Sequence, residues 1–166
     1  MKKALVIASI LILGTIGIEF TFAQSNATQN LTLAVNTIYR ISTSGNPGAL
    51  TISTGTAGTD ALTSVSDATT TYSITQNFGN TVKITANLDA VLPAGYALQI
   101  NLASAKGTSA GTVDISNALS ASALSVVTAI AKGADAGKSI SYTFSANASA
   151  GTLTSTAKVV TLTLTN

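Results

Sequence analysis

The sequence predicts an all-β protein: a single antiparallel β-sandwich of immunoglobulin-like or jelly-roll type behind an export signal. Three observations carry this expectation. Eight or nine short stretches alternate apolar and polar residues with period two. Clusters of Gly, Asn and Pro separate those stretches at fairly even spacing. No long stretch with a helical period interrupts them.

The first residues read as a secretory signal peptide. Met1-Lys2-Lys3 is basic, Ala4 to Ile18 is almost wholly apolar, and Thr21-Phe22-Ala23 offers small residues at the positions a signal peptidase reads. The apolar run falls short of the ~20 residues a membrane span needs, and Glu19 ends it. Cleavage is expected near Ala23-Gln24, giving a secreted or cell-surface protein of bacterial type with no membrane insertion afterwards. Gly14 and Glu19 share the spacing of a type IV prepilin processing site, but Phe20 to Asn30 turns polar where those proteins continue an apolar helix. No Cys follows the apolar run, so a lipoprotein anchor has no attachment point.

The predicted organisation is therefore a signal peptide over 1–23, a flexible polar lead-in over 24–29 and the sandwich over 30–166. Residues 24–166 number 143, enough for one domain with a proper core. They hold six Lys or Arg against five Asp, net +1. So few charges make no basic patch for nucleic acid or anionic lipid. Disorder needs high charge and few apolar residues, and this chain has the opposite. With no Cys, only the core and ladder hydrogen bonds can hold the domain.

The elements follow in order. Asn30 to Thr43 is the predicted opening strand, strand A of a self-contained sandwich, with Leu31, Leu33, Val35, Tyr39 and Ile41 on one parity; near Asn36-Thr37 it divides into a half anchored at home and a half, Leu31 to Val35, that pairs either in cis or in trans. Ser44 to Gly48 is a turn, Leu50 and Ile52 mark a short strand, and Gly55 to Asp67 reads as a loop with Leu62 and Val65 tucked inward. Thr70 to Gln76 and Thr81 to Leu88 are predicted to form a hairpin closed by Asn77-Phe78-Gly79-Asn80. Tyr96 to Ala103 alternates most cleanly. Lys106 to Gly111 is a turn and Thr112 to Ser116 a short strand. Asn117 to Lys132 is open between helix and strand, with β-branched density favouring a strand over Ser125 to Ile130. Gly133 to Lys138 reads as a turn before the strand Ser139 to Ala146. Leu153 falls in the next loop, and Val159 to Thr165 is the last strand.

The residue inventory excludes much chemistry. Without His or Cys there is no imidazole base, thiol nucleophile or common zinc site. Past the signal every carboxylate is an Asp, at 60, 67, 89, 114 and 135, mostly in or beside turns. Gly133-Ala134-Asp135-Ala136-Gly137-Lys138-Ser139 resembles a phosphate-binding loop but has three residues between its glycines where four are needed, and a strand follows it. Ser155 to Lys158 matches an S-x-x-K spacing that requires a helix. No catalytic residue, cofactor or metal is expected. Asn87 and Asp89 are the only calcium candidates, two oxygen ligands where a site needs more. The Asn-x-Ser/Thr triplets at Asn26, Asn30 and Asn147 are those of an Asn- and Thr-rich chain. Tyr72, Tyr96, Tyr142 and Phe144 fall on apolar faces, leaving Tyr39 and Phe78 as the aromatics expected at the surface.

In plan the chain resembles bacterial pilin-like subunits: signal, polar lead-in, alternating N-terminal strand, sandwich, alternating last strand. It departs from many chaperone–usher pilins in lacking a disulfide. The resemblance implies a non-catalytic structural or adhesive surface protein, a homo-oligomer or filament in which an extended segment of one subunit completes the sheet of the next. On this sequence the resemblance implies Gln24 to Ile41 as donor, with Leu31, Leu33 and Val35 as assembly positions, and Val159 to Thr165 as the receiving edge, with Leu162 and Leu164. The alternatives are a binding module for carbohydrate or protein that uses the Gly55 to Asp67 loop, and an ice-binding surface built on ranks of Thr such as Thr161, Thr163 and Thr165.

Overall fold

The computed structural model describes residues 25–166; the signal peptide expected over 1–23 and its expected cleavage point lie outside them. The chain divides into two units, residues 1–34 and Val35–Asn166. The described part of the first unit contains no helix or strand, and its Leu31 and Leu33 are exposed.

The second unit is all-β and sandwich-like, two antiparallel sheets with short connections. Its strands are β1 (Tyr39–Thr43), β2 (Val65–Gln76), β3 (Val82–Leu88), β4 (Tyr96–Leu102), β5 (Thr108–Ser109), β6 (Val113–Asp114), β7 (Leu124–Ile130), β8 (Gly133–Ala146) and β9 (Val160–Thr165). One sheet runs β1-β2-β8-β4-β6 and the other β5-β7-β3-β9. Every pairing is antiparallel. Single turns of 3-10 helix at Ser120–Ser122 and Ala148–Ala150 complete it.

Period-two alternation produces the core directly. In β4, Leu98, Ile100 and Leu102 are buried while Gln99 and Asn101 face out; in β3, Val82, Ile84 and Ala86 are buried against half-exposed Lys83 and Thr85. Tyr72, Ile74 and Ile140 extend one inner face, and Val127 and Ile130 the other. Each fully buried aliphatic side chain contributes about 1.5–3 kcal/mol. The polar end of Tyr72 is satisfied too: its hydroxyl donates to the Ala103 carbonyl at 2.6 Å.

Several expectations need correction. The opening strand is shorter than its pattern: pairing with β2 starts at Tyr39, and residues 30–38 belong to no strand. Leu50 and Ile52 form no strand, although both are half-buried. β2 starts earlier, at Val65. The β2–β3 hairpin does not exist, because β2 pairs with β1 and β8 while β3 pairs with β7 and β9, so Asn77 to Asn80 carries the chain between sheets. Gln76 stitches that corner, donating to the Ile130 carbonyl at 3.3 Å and accepting the Phe78 N–H at 2.7 Å. The presumed turn Gly133 to Lys138 is the first half of β8, paired with Tyr72 to Gln76 across a register shift. The open stretch 117–132 becomes a 3-10 turn followed by β7. Tyr39 and Phe78 are half-buried and pack on each other, ring centroids 5.5 Å apart.

Candidate functional site

A groove of about 1210 Å³ opens where the two sheets fail to match. Its floor is the inner face of the five-stranded sheet, including Leu98, Ile140, Tyr142 and Phe144; Leu162 of β9 stands at one side and Leu50 at another. The mismatch has two sources. β1 covers only Tyr72 to Gln76 of the twelve-residue β2, so Val65 to Thr70 has no strand on that side. The four-stranded sheet ends at β9, and β9 begins only at Val160. Residues 45–53 and 152–158 run along the rim and make no backbone–backbone hydrogen bond with another described residue.

The groove has an apolar floor and a rim rich in Ser and Thr, and one of its buried polar groups is unpartnered. Thr70 is buried, 4% exposed, and its hydroxyl finds no hydrogen-bond partner among the described residues. An orphaned buried hydroxyl of this kind costs about 1–3 kcal/mol. At the groove, Tyr96 and Phe144 stack with centroids 6.3 Å apart and planes 6° from parallel.

The assembly candidates take distinct places. Leu31, Leu33 and Val35 are 79%, 82% and 84% exposed. Leu162 and Leu164 lie on β9, both half-buried and packed against the core cluster. On the other edge of β3 sits β7, so β9 is the end of its sheet and its outer edge has no strand partner among the described residues.

The five Asp carboxylates all accept backbone N–H groups. Asp60 accepts from Ser149 at 2.8 Å, Asp67 from Thr69 at 3.0 Å, Asp89 from Val159 at 3.0 Å, Asp114 from Ser116 at 2.8 Å and Asp135 from Ala105 at 2.7 Å. The Thr69 N–H and hydroxyl hold the Asp67 carboxyl below its ordinary value, and the Val159 N–H does the same for Asp89. Burial pushes Asp135 up, but hydrogen bonds from the Ala105 N–H, the Lys138 side chain and the Lys106 N–H outweigh it, leaving Asp135 lowered. Lys138 lies 3.1 Å from that carboxylate. These carboxylates are spent on loop backbone, which disposes of the phosphate-loop likeness at Gly133 to Ser139: its Asp is a buried pin for the 104–107 turn.

At the calcium candidates, Asn87 is buried in β3 and its amide donates to the Leu88 carbonyl at 3.1 Å, while Asp89 is engaged with Val159. Among the described residues no three His, Cys, Asp or Glu gather into a metal-binding group. Ser155 and Lys158 sit in the irregular rim, where Lys158 donates to the Val91 carbonyl at 3.4 Å. No helix among the described residues is long and apolar enough to cross a membrane.

Two features escaped sequence reading. Thr70 looks like any strand Thr, and nothing in its spacing marks it as inward and unpartnered. Asn77 reads as a turn residue, yet it clamps the segment before β1: its Oδ1 accepts the Ile38 N–H at 2.6 Å and its Nδ2 donates to the Asn36 carbonyl at 2.9 Å. Comparison with known proteins finds no matching family, no matching curated protein and no matching solved structure. The groove and the exposed segment therefore have to carry the functional reading.

Proposed function

We propose that this is a non-catalytic, secreted or cell-surface structural protein, a subunit of a filament or coat joined by strand exchange. The observation that supports the reading is the exposure of Leu31, Leu33 and Val35, three apolar residues in strict alternation that are each about four-fifths open to solvent. Residues spaced in this way present one apolar face once the backbone is extended as a strand. Water is an unfavourable partner for such a face, and a sheet with a vacant position is a favourable one. The partner is another copy of the same chain, and no cofactor or nucleic acid takes part.

The test is size-exclusion chromatography and electron microscopy of residues 24–166, with and without residues 24–36. Ordered polymers that vanish on truncation support the reading. A monodisperse monomer in both preparations sinks it.

A further inference from the structure

Among the described residues the two sheets have four edges, and three of them are blunted. β5 and β6 are strands of two residues each, and β1 has five with Arg40 at its second position. β9 has six, VTLTLT, with no charge and no Pro. Short strands and edge charges are the usual protection against intermolecular pairing, and β9 carries neither. Beside β9 lies the groove, whose floor residues Leu98, Ile140 and Tyr142 are already buried, and there the Thr70 hydroxyl is buried without a partner. An orphaned hydroxyl and an unprotected strand edge thus border one groove, which Ile41 to Thr43 of β1 also line.

Resting on the strand-exchange reading above, we infer that the outer edge of β9 receives Leu31–Val35 of a second copy, and that Asn77, by fixing Asn36 to Ile38, disfavours the same pairing within one chain. Dimensions and charge agree. Five extended residues span about 17 Å against about 20 Å for the six of β9. Residues 24–38 carry no charge, so neither face brings an ion to the edge of β9. Leu31, Leu33 and Val35 supply the alternation that Val160, Leu162 and Leu164 of β9 present from the other side.

The choice of a second copy follows from the clamp. Folding residues 31–35 back beside their own β1 would place the reversal at Asn36 to Ile38. Asn77 holds those residues as a continuation of β1, through the two side-chain hydrogen bonds given above and its own N–H to the Ile38 carbonyl at 3.3 Å. A reversal there breaks these bonds. Asn77 is thus a positioning residue for Asn36 to Ile38.

The native chain has no Cys, so introduced pairs report without background. Full mature chains carrying Leu33→Cys together with Val160→Cys, Leu162→Cys or Leu164→Cys are oxidised under polymerising conditions. At one of the three positions the expected product is a ladder of covalent oligomers, and adding Asn77→Ala shifts that ladder toward an internally closed monomer. Closed monomer already dominant with Asn77 intact overturns the inference, and so does a ladder indifferent to Asn77→Ala. Absence of any cross-link, while the parent chain still forms polymers that depend on residues 24–36, overturns the β9 assignment and leaves the polymer reading standing. A parent chain that never polymerises overturns both.

Discussion

Leu33→Ala separates assembly from folding. Leu33 is 82% exposed in the single chain, so shortening it removes almost no burial and the melting temperature of the monomer should stay where it is. In the proposed polymer the same side chain is covered beside β9. Losing three carbons there costs about 2.4 kcal/mol at ~0.8 kcal/mol per buried carbon. At about 1.4 kcal/mol for each factor of ten, the interface weakens roughly fifty-fold. The assay is the critical concentration for polymerisation, followed by light scattering or sedimentation, beside a thermal melt of the monomeric fraction. Thr32→Ala, on the opposite parity, is the control and should leave the critical concentration unchanged. An equal response to both substitutions, or a melt lowered by Leu33→Ala, would refute the reasoning, because one denies the facing of the segment and the other its exposure.

Four further outcomes follow from the structure. Asp135→Ala strands the N–H groups of Ala105 and Lys106 and removes the partner of half-buried Lys138; leaving such donors without their buried acceptor costs about 1–3 kcal/mol, so calorimetry should show a melting temperature lowered on the order of 5 °C. Gly107→Ala would put a Cβ 2.6 Å from Ile130 Cγ1 and 2.7 Å from the Thr128 carbonyl oxygen, and denaturant melts should show a loss of about 1–3 kcal/mol. Thr70→Val deletes the orphaned hydroxyl while keeping its shape, so the monomer should gain about 1–3 kcal/mol by the same measurement, and an unchanged midpoint would mean the hydroxyl is satisfied in solution. For pH, Asp67, Asp89 and Asp135 titrate lower in the fold than their unfolded value near about 3.9, so their stabilisation is complete above that pH and is lost as pH falls through the folded values; Tyr72 and Tyr142, raised by burial, lose theirs as pH climbs past about 10. With no His, melts should be flat between about pH 5 and 8, and a transition in that window would contradict this account.

Alternation made much of the fold legible. β3, β4 and β9 have one buried and one wet face, and there the pattern is the structure. Reading failed where local chemistry and tertiary placement part. Asn77 to Asn80 has the composition of a hairpin turn, but composition does not say whether the next strand returns to the same sheet. Gly133 to Lys138 has few apolar residues and two glycines, so it reads as a turn; it is a strand because β2 is long enough to pair with it and because inward Asp135 finds hydrogen-bond donors where an apolar residue would find a core. Leu31 to Val35 has as good a strand pattern as any, and it is not a strand because pairing with β2 stops one residue past Tyr39, at the Asn77–Ile38 bond. The sequence suggests a division near Asn36-Thr37; pairing with β2 begins at Tyr39, and the Asn77 contacts to Asn36 and Ile38 beside it have no mark in the sequence. Of the candidate site, Leu162 and Leu164 could be read as an edge, whereas the groove depends on strand counts in two sheets, which no single stretch of sequence encodes.

The groove rim combines firm ends with a loose middle. Asp67 accepts the Gly48 N–H at 3.3 Å, Asp60 grips Ser149 through both its N–H and its hydroxyl, and Asp89 and Val159 exchange backbone and carboxylate hydrogen bonds at the entry to β9. Three of the five carboxylates thus fasten the two segments that border the groove. Between those fastenings, residues 45–53 and 152–158 make no backbone–backbone bonds with other described residues, so displacing them breaks no ladder. Segments of that kind open at a small fraction of the global unfolding free energy. The sheets on either side hold the buried cores of β3, β4 and β8 and need not move. An incoming strand therefore meets a rim that can yield and walls that cannot. In the proposed polymer such a strand would supply β9 with hydrogen bonds while the host domain stays folded.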